Sequence, residues 1–402
     1  MVAVDEVFRA AWPVVVASTA RLTGDLDLAE DCAQEAVERA LRTWPAGAPD
    51  NPAGWLTTTA RRIALDRLRR EATLRRKLPL LVEPAGDADD PGPTDPLRLV
   101  FTCCHPALAP ESQVALTLRL VCGVDVAAIA AVLLAGEAGT ARRITRAKQK
   151  IAAARIPFRV PPDEELPERL DTVLTVVHLA YTAGHVAARG RLRDDGLAER
   201  ATGLARMLVR LLPDEPEPQA LLALILLTEA RGPARTTPDG DLVLLADQDR
   251  SRWDRTVSRE GLVLATAALR HRRHGRFAWQ AAVAGLHAMA PTWSDTDWAQ
   301  IVTTYDALMR SWPSPVVALN RAAARSRLEH ADLDEVLREI DGLAPDLAGY
   351  PYLPAARADV LARLGRTDEA DEAYGAALAL TTNATEQRYL ARRRVEVRLR
   401  RR

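Results

Sequence analysis

The sequence is short of several things, and each shortage removes a class of explanation. Lysine occurs only at Lys77, Lys148 and Lys150; the rest of its 54 basic residues are arginine, a bias that points to a GC-rich genome rather than to a function. Cysteine occurs four times, at Cys32, Cys103, Cys104 and Cys122, never as a Cys-x-x-Cys pair, so no redox motif is present. Cys103-Cys104-His105 invites a metal, but adjacent cysteines chelate poorly and no second Cys/His pair follows at ligand spacing. Thiols buried in a helical core are the reading kept, and no metal is expected. Strand-like alternation is nearly missing, which leaves an all-α chain. No apolar run reaches membrane-spanning length, Ala220 to Leu227 being too short. The first residues carry acids early and no cleavage-site pattern, unlike a signal peptide. The first 158 residues hold no phosphate-binding loop, and no set of nucleophile, base and metal ligand is recognised in the extension. A soluble cytoplasmic protein is expected, not an enzyme, with no cofactor and no membrane partner. Formal charge is zero, with 54 acidic residues against 54 basic, so only the placement of charge informs.

That placement is uneven between Leu28 and Arg70. Leu28, Cys32, Ala36, Val37, Ala40, Leu41 and Trp44 recur at helical spacing, while Glu30, Asp31, Gln34, Glu35 and Glu38 fall largely on other faces. Pro45 to Pro52 holds three prolines and a glycine, which ends this acidic helix. Ala53 to Lys77 then predicts a basic helix, with Trp55, Leu56, Ile63, Leu65 and Leu68 as its buried stripe. Arg61, Arg62, Arg67, Arg69, Arg70, Arg75, Arg76 and Lys77 face only Asp66 and Glu71. Two readings stand for the pair. One is a salt-bridged helical hairpin. The other is a two-partner surface, one side suited to a basic protein and one to phosphates and exposed bases. An opening helix over residues 5–23, with Asp25 or Asp27 capping the acidic helix, completes a helical domain over 1–77.

The wording of this stretch resembles region 2 of the extracytoplasmic-function (ECF) sigma factors, which direct bacterial RNA polymerase to promoters. The residues that carry the resemblance are Ala29-Glu30-Asp31, Gln34-Glu35 and Trp44, then Trp55-Leu56, Ala60-Arg61-Arg62, Ala64, Asp66 and Arg69. It implies that Asp31, Gln34, Glu35 and Glu38 dock on the clamp helices of the polymerase β′ subunit. It also implies that the loop 45–51 and the start of the basic helix melt the −10 element. Trp55, Arg61, Arg62, Asp66, Arg69 and Arg70 would line the freed strand.

Residues 78–96, rich in proline and glycine with five acids, read as a flexible acidic linker. Residues 97–158 predict a second helical unit, with short helices at 97–104, 110–120 and 124–133, a turn at 134–136 and a last helix at 137–154. Ala141, Ile144, Ala147 and Ile151 form the inner stripe of that last helix. Arg142, Arg146 and Lys150 make a line on another face, with Arg143 and Lys148 beside it. This pattern predicts a helix-turn-helix whose second helix suits a DNA major groove; a basic solvated helix is the alternative. The segment resembles sigma region 4, and region 2, linker and region 4 in that order are the ECF layout. The resemblance implies −35 contacts from Thr140, Arg142, Arg143, Arg146 and Lys148, and the polymerase β flap as a further partner.

Residues 159–402 are more than such a factor needs. They resemble the extension of a long ECF subgroup, with a helical domain of unassigned role over 159–290 and tetratricopeptide-like repeats over 291–402. Ala358, Leu361, Gly365, Ala370, Tyr374 and Ala377 sit at tetratricopeptide offsets, and 313–324 looks like part of a poorer copy; plain helical hairpins are the alternative. Asp239 to Arg255 packs five aspartates and three arginines around a short apolar run. A loop tied by internal ion pairs is favoured over a ligand pocket made by Arg250, Arg252, Arg255 and Trp253. His178, His185, His271 and His274 read as packing or surface residues. The function expected is a sigma factor that binds core polymerase and promoter DNA. Its extension would regulate it in cis, through a protein or small-molecule regulator. The alternative is a helix-turn-helix regulator with a repeat-type interaction domain that never joins the polymerase.

Overall fold

The computed structural model describes residues 4–76, 95–133, 135–185, 195–272 and 275–399. Among them the regular structure is helical, apart from one isolated bridge between Thr236 and Leu242. Most of the expected linker, 78–94, and His274 lie outside the described residues. No described helix is long and apolar enough to cross a membrane.

The chain divides into two compact units. The first holds α1 (Val4–Thr23), α2 (Leu26–Thr43), α3 (Pro52–Arg76), α4 (Asp95–Cys103), α5 (Pro110–Leu116), α6 (Val126–Val132), α7 (Glu137–Ala153), most of α8 (Leu166–His185) and α9 (Asp195–Leu211). Helix α2 starts where its chemistry says it must: the Asp25 carboxylate accepts the Asp27 and Leu28 amides at 2.8 and 3.1 Å, offsetting unpaired first-turn donors. Its alanine-rich face (Ala29, Ala33, Ala36, Ala40) is fully buried and lets α1 and α3 approach closely. Helix α5 widens into one π turn, Thr117–Val121, before Gly123 turns the chain at φ +64°. All four cysteines are free thiols inside this unit. Burial pushes Cys32 up to about 11 and Cys104 and Cys122 to about 12, so none is a ready nucleophile.

Two boundaries differ from those expected. Asp95 and Pro96 begin α4 instead of ending the linker, and Asp95 is fully buried because Arg21 of α1 donates to it at 2.9 Å. The first unit also does not stop near Phe158: α9 and α8 up to Gly184 belong to it. The Arg169 guanidinium donates to the Phe101 carbonyl at 2.8 Å, and Val173 and Val177 are buried.

The second unit runs through α10 (Pro216–Glu229), α11 (Arg255–Arg270), α12 (Arg276–Met289), α13 (Trp298–Ser311), α14 (Pro315–Arg325), α15 (Leu333–Gly342), α16 (Tyr352–Arg363), α17 (Thr367–Leu380) and α18 (Ala384–Leu399). Helix α10 is apolar all round and forms a centre against α11 and α12. A Cβ on Gly261 would meet Leu227 at 2.8 Å, so only glycine permits this approach. Helix α12 is held at both ends from a distance. Glu217 accepts the Gly275 and Phe277 amides at 2.8 and 2.9 Å, and Arg250 donates to the His287 and Ala290 carbonyls at 2.7 and 2.6 Å. A carboxylate at the positive end and a guanidinium at the negative end both oppose the helix dipole. Consecutive helices from α13 to α18 then pack on one another, and Gly365 (φ +74°) makes the turn between α16 and α17.

Two histidines of this unit, His185 buried and His287 half-buried, are held in their neutral form. Burial, with Arg235 nearby, brings His185 from 6.5 to about 4, and burial beside Arg231 and Arg250 does the same for His287. The unfolded chain therefore binds more protons between pH 6.5 and 4, and stability falls as pH drops through that window. Each histidine contributes up to about 3 kcal/mol of that loss. Urea melts at pH 7 and pH 5 are expected to show it, and His287→Phe should shrink the difference. An unchanged difference in that variant would remove His287 from the account.

Candidate nucleic-acid interface

Helices α2 and α3 lie side by side with opposite charge, and Arg67 joins them. It donates to Glu35 at 2.8 Å and reaches Asp31 at 3.7 Å, while Arg39 holds the other oxygen of Glu35 at 2.7 Å. Burial pushes the Glu35 carboxyl up, but the bonds from Arg39 and Arg67 outweigh it and hold it below the usual carboxylate range. Gln34 donates to Glu30 at 3.0 Å, and Glu38 is exposed. The acidic face is thus partly tied down by its basic neighbour, as the hairpin reading expected, and still presents Asp31 and Glu38 outward.

On α3 the outward stripe is basic. Arg62, Asp66, Arg69 and Arg70 are exposed, with Arg61 half-buried at its edge. The Asp66 carboxylate lies 3.9 Å from Arg69, too far and too exposed to cancel the stripe. At the head of the helix the Trp55 ring stands edge-on to Trp44 at 5.6 Å, half-buried. An aromatic platform at the mouth of a cationic stripe is the arrangement that stacks bases and neutralises phosphates.

Helix α7 divides its basic residues between two environments. Arg142 and Arg146 are exposed, Arg143 is half-buried, and with Lys150 they line one depression shared with Ser112 and Gly139. Lys150 also donates to the Ala107 carbonyl. Thr140 and Lys148, which the resemblance placed beside them, are inside instead: Thr140 is fully buried, and Lys148 is 7% exposed. At roughly 100° per residue, Lys148 falls about 120° around the helix from Arg142, on the edge of the inner face. There its ammonium donates to Glu30 at 2.6 Å and to Asp27 at 2.7 Å, both at the start of α2. Arg119 of the π turn donates to the other oxygen of Glu30. Burial alone would lower Lys148, but the carboxylates of Glu30 and Asp27 outweigh it and raise it above the usual lysine range.

Two positive and two negative groups therefore form a neutral cluster where α2, α7 and the π turn meet. Glu30, Asp27 and Arg119 were not anticipated as partners of α7. A signal was present in Glu30, which at roughly 100° per residue falls between the apolar Val37 and Leu41 around α2, and in the position of Lys148 off the line of Arg142, Arg146 and Lys150.

Residues 7–73 match the family model for sigma-70 region 2, and residues 169–269 match a family of unknown function (DUF6596). An uncharacterized protein of Rhizobium meliloti, R00370, is 41% identical over 401 residues, spanning 96% of this chain and 94% of that one. Probable ECF RNA polymerase sigma factor SigI of two Mycobacterium tuberculosis strains is 32% identical over 170 residues, covering 40% of this chain and 58% of the mycobacterial protein. No solved structure matches. The region 2 match and the mycobacterial relatives support a sigma-factor function.

Breaking the buried cluster is expected to be costly. Lys148→Met leaves Glu30 short of a partner and should lower the unfolding free energy by about 3 kcal/mol. Adding Glu30→Gln should cost less than the sum of the single losses by at least about 1 kcal/mol. Denaturant melts of the two single variants and the double variant measure this, and strictly additive losses would show that the side chains act separately.

Proposed function

Because the chain belongs to the family of the full-length Rhizobium meliloti relative and carries a sigma-70 region 2, we propose that it is an ECF-type sigma factor. In this reading it binds core RNA polymerase in the bacterial cytoplasm and directs promoter-specific initiation. The observation that carries the reading is the pairing of α2 and α3: an acidic face beside an exposed cationic stripe headed by an aromatic pair, all within residues that match region 2. A basic helix alone would serve any DNA-binding protein. The acidic neighbour suits a second, protein partner.

The parts then take distinct roles. Asp31, Gln34, Glu35 and Glu38 meet the β′ clamp helices. Trp55, Arg61, Arg62, Asp66, Arg69 and Arg70 hold the unpaired −10 strand, where binding to the freed bases offsets a few kcal/mol of lost stacking per step. No nucleotide hydrolysis is called for. Helices α4 to α7 act as region 4, with α6 and α7 as a helix-turn-helix that meets the β flap and the −35 duplex. Arg142, Arg143 and Arg146 face that duplex, while Thr140 and Lys148 support α7 from inside. The second unit, with tetratricopeptide-like hairpins toward its end, regulates this activity in cis.

Run-off transcription with purified core polymerase and genomic candidate promoters tests the central claim. A specific product is expected only when the protein is added. Arg62→Ala with Arg69→Ala and Arg70→Ala should reduce it at least about tenfold without lowering the melting temperature, since the three side chains are exposed. No product from any candidate promoter would overturn the proposal. For the regulatory claim, a chain ending after Leu211 is the right comparison. Cutting at Phe158 would strip α8 and α9 from the first unit. Promoter output is expected to differ between this shorter chain and the full one, and equal output would remove the cis role.

A further inference from the structure

The second unit contains a cavity of about 510 Å³ walled by α14, α16, α17 and α18. That size is within the range of sites that enclose small organic molecules. One edge comes from the segment between α10 and α11, whose Leu242 and Leu244 turn toward it. The segment is pinned there from outside the cavity, because Arg388 of α18 donates to Asp241 at 2.9 Å and to the Gly240 carbonyl at 3.2 Å. Asp241, one of the aspartates that marked this stretch in the sequence, thus ties it to another helix and not through the internal ion pairs expected. The segment's apolar residues face the space.

The lining has a definite chemical character. Four tyrosines line it, together with one arginine, Arg327, and two carboxylates, Asp359 and Glu386. Arg327 donates to Asp359 at 2.6 Å, so these two cancel. Glu386 has no ion pair with any described residue; the Tyr352 hydroxyl donates to it at 2.7 Å. The Tyr350 and Tyr352 rings stand edge-to-face at 5.3 Å. Both feel the Glu386 charge, which adds to burial in raising their hydroxyls above the usual tyrosine range. Glu386, half-buried at the cavity wall, therefore has a hydroxyl partner and no ion pair among the described residues, beside two tyrosine rings of which Tyr352 is exposed. A cation placed there gains from both the carboxylate and the neighbouring aromatic rings.

We propose that this cavity is a binding site for a small organic cation: an apolar or aromatic body in the space between α14, α16 and α18, with a protonated amine at Glu386 against Tyr350 and Tyr352. The site lies wholly in the second unit and does not depend on the sigma-factor reading.

Two dyes that share one fluorophore test it on the full chain. Dansylcadaverine ends in an ammonium and dansylglycine in a carboxylate. Dansylcadaverine is expected to bind with roughly micromolar affinity and a rise in emission, and at least about tenfold more tightly than dansylglycine. Glu386→Gln, which keeps the side-chain shape, should weaken dansylcadaverine at least about tenfold and leave dansylglycine unchanged. Leu244→Trp, which fills the space from the edge, should abolish the emission change while circular dichroism shows an intact helical fold. Equal affinity for the two dyes, dansylcadaverine binding untouched by Glu386→Gln, or no binding of dansylcadaverine would each overturn the proposal.

Discussion

The first unit depends on one buried carboxylate. Glu30 is 6% exposed, and a lone ionised carboxylate so placed would cost several kcal/mol of lost hydration. It is tolerated because donors arrive from three places: Gln34 from its own helix, Arg119 from the π turn and Lys148 from α7. None of these donors is close to another in sequence except through the fold. The arrangement therefore fixes α2, the π turn and α7 together or not at all, which is the form of cooperativity that a satisfied polar network supplies and a greasy contact does not. Helix α2 is then used on two sides. Its inner edge grips α7 through Glu30 and Asp27, and its outer edge is tied to α3 through Asp31 and Glu35.

How much of this could be read from the chain follows from the range of the forces involved. Helix spacing is local, so α1, α2, α3 and α7 stand within a residue or two of where the apolar periodicity put them, and Asp25 caps α2 as its position suggested. What was not legible is non-local. Nothing near Asp95 in sequence reveals that Arg21, on another helix, will bury it. Nothing near Arg250 shows that its donors will go to carbonyls at the end of α12 instead of to a ligand. Lys148 is the instructive case. Grouping it with Arg142, Arg143 and Arg146 uses proximity along the chain, whereas its angle around the helix puts it with Ile144, Ala147 and Ile151 on the inner side. Charge says that a residue needs a partner; helical angle says which side the partner is on.

The same distinction orders the second unit. Its helices are laced by arginines: Arg321 spans Asp306 and Glu339, Arg325 spans Glu335 and Glu339, and Arg394 and Arg398 share Asp371. A chain with almost no lysine relies on the guanidinium fork, which can hold two oxygens in fixed geometry where an ammonium offers a point charge. Most of these pairs are half-exposed, so each adds little free energy. Their effect is on register: a carboxylate on one helix selects the arginine on the next. Against that pattern the carboxylate of Glu386 stands apart. It lies at the start of α18, in a stack where many carboxylates are matched by arginines, and it is matched by a tyrosine hydroxyl. A hydroxyl supplies a hydrogen bond and no charge, so that carboxylate, half-buried at the wall of a cavity, has no ion pair among the described residues. A positive group that met it there would add the missing ion pair, and the apolar walls would favour one whose body prefers them to water.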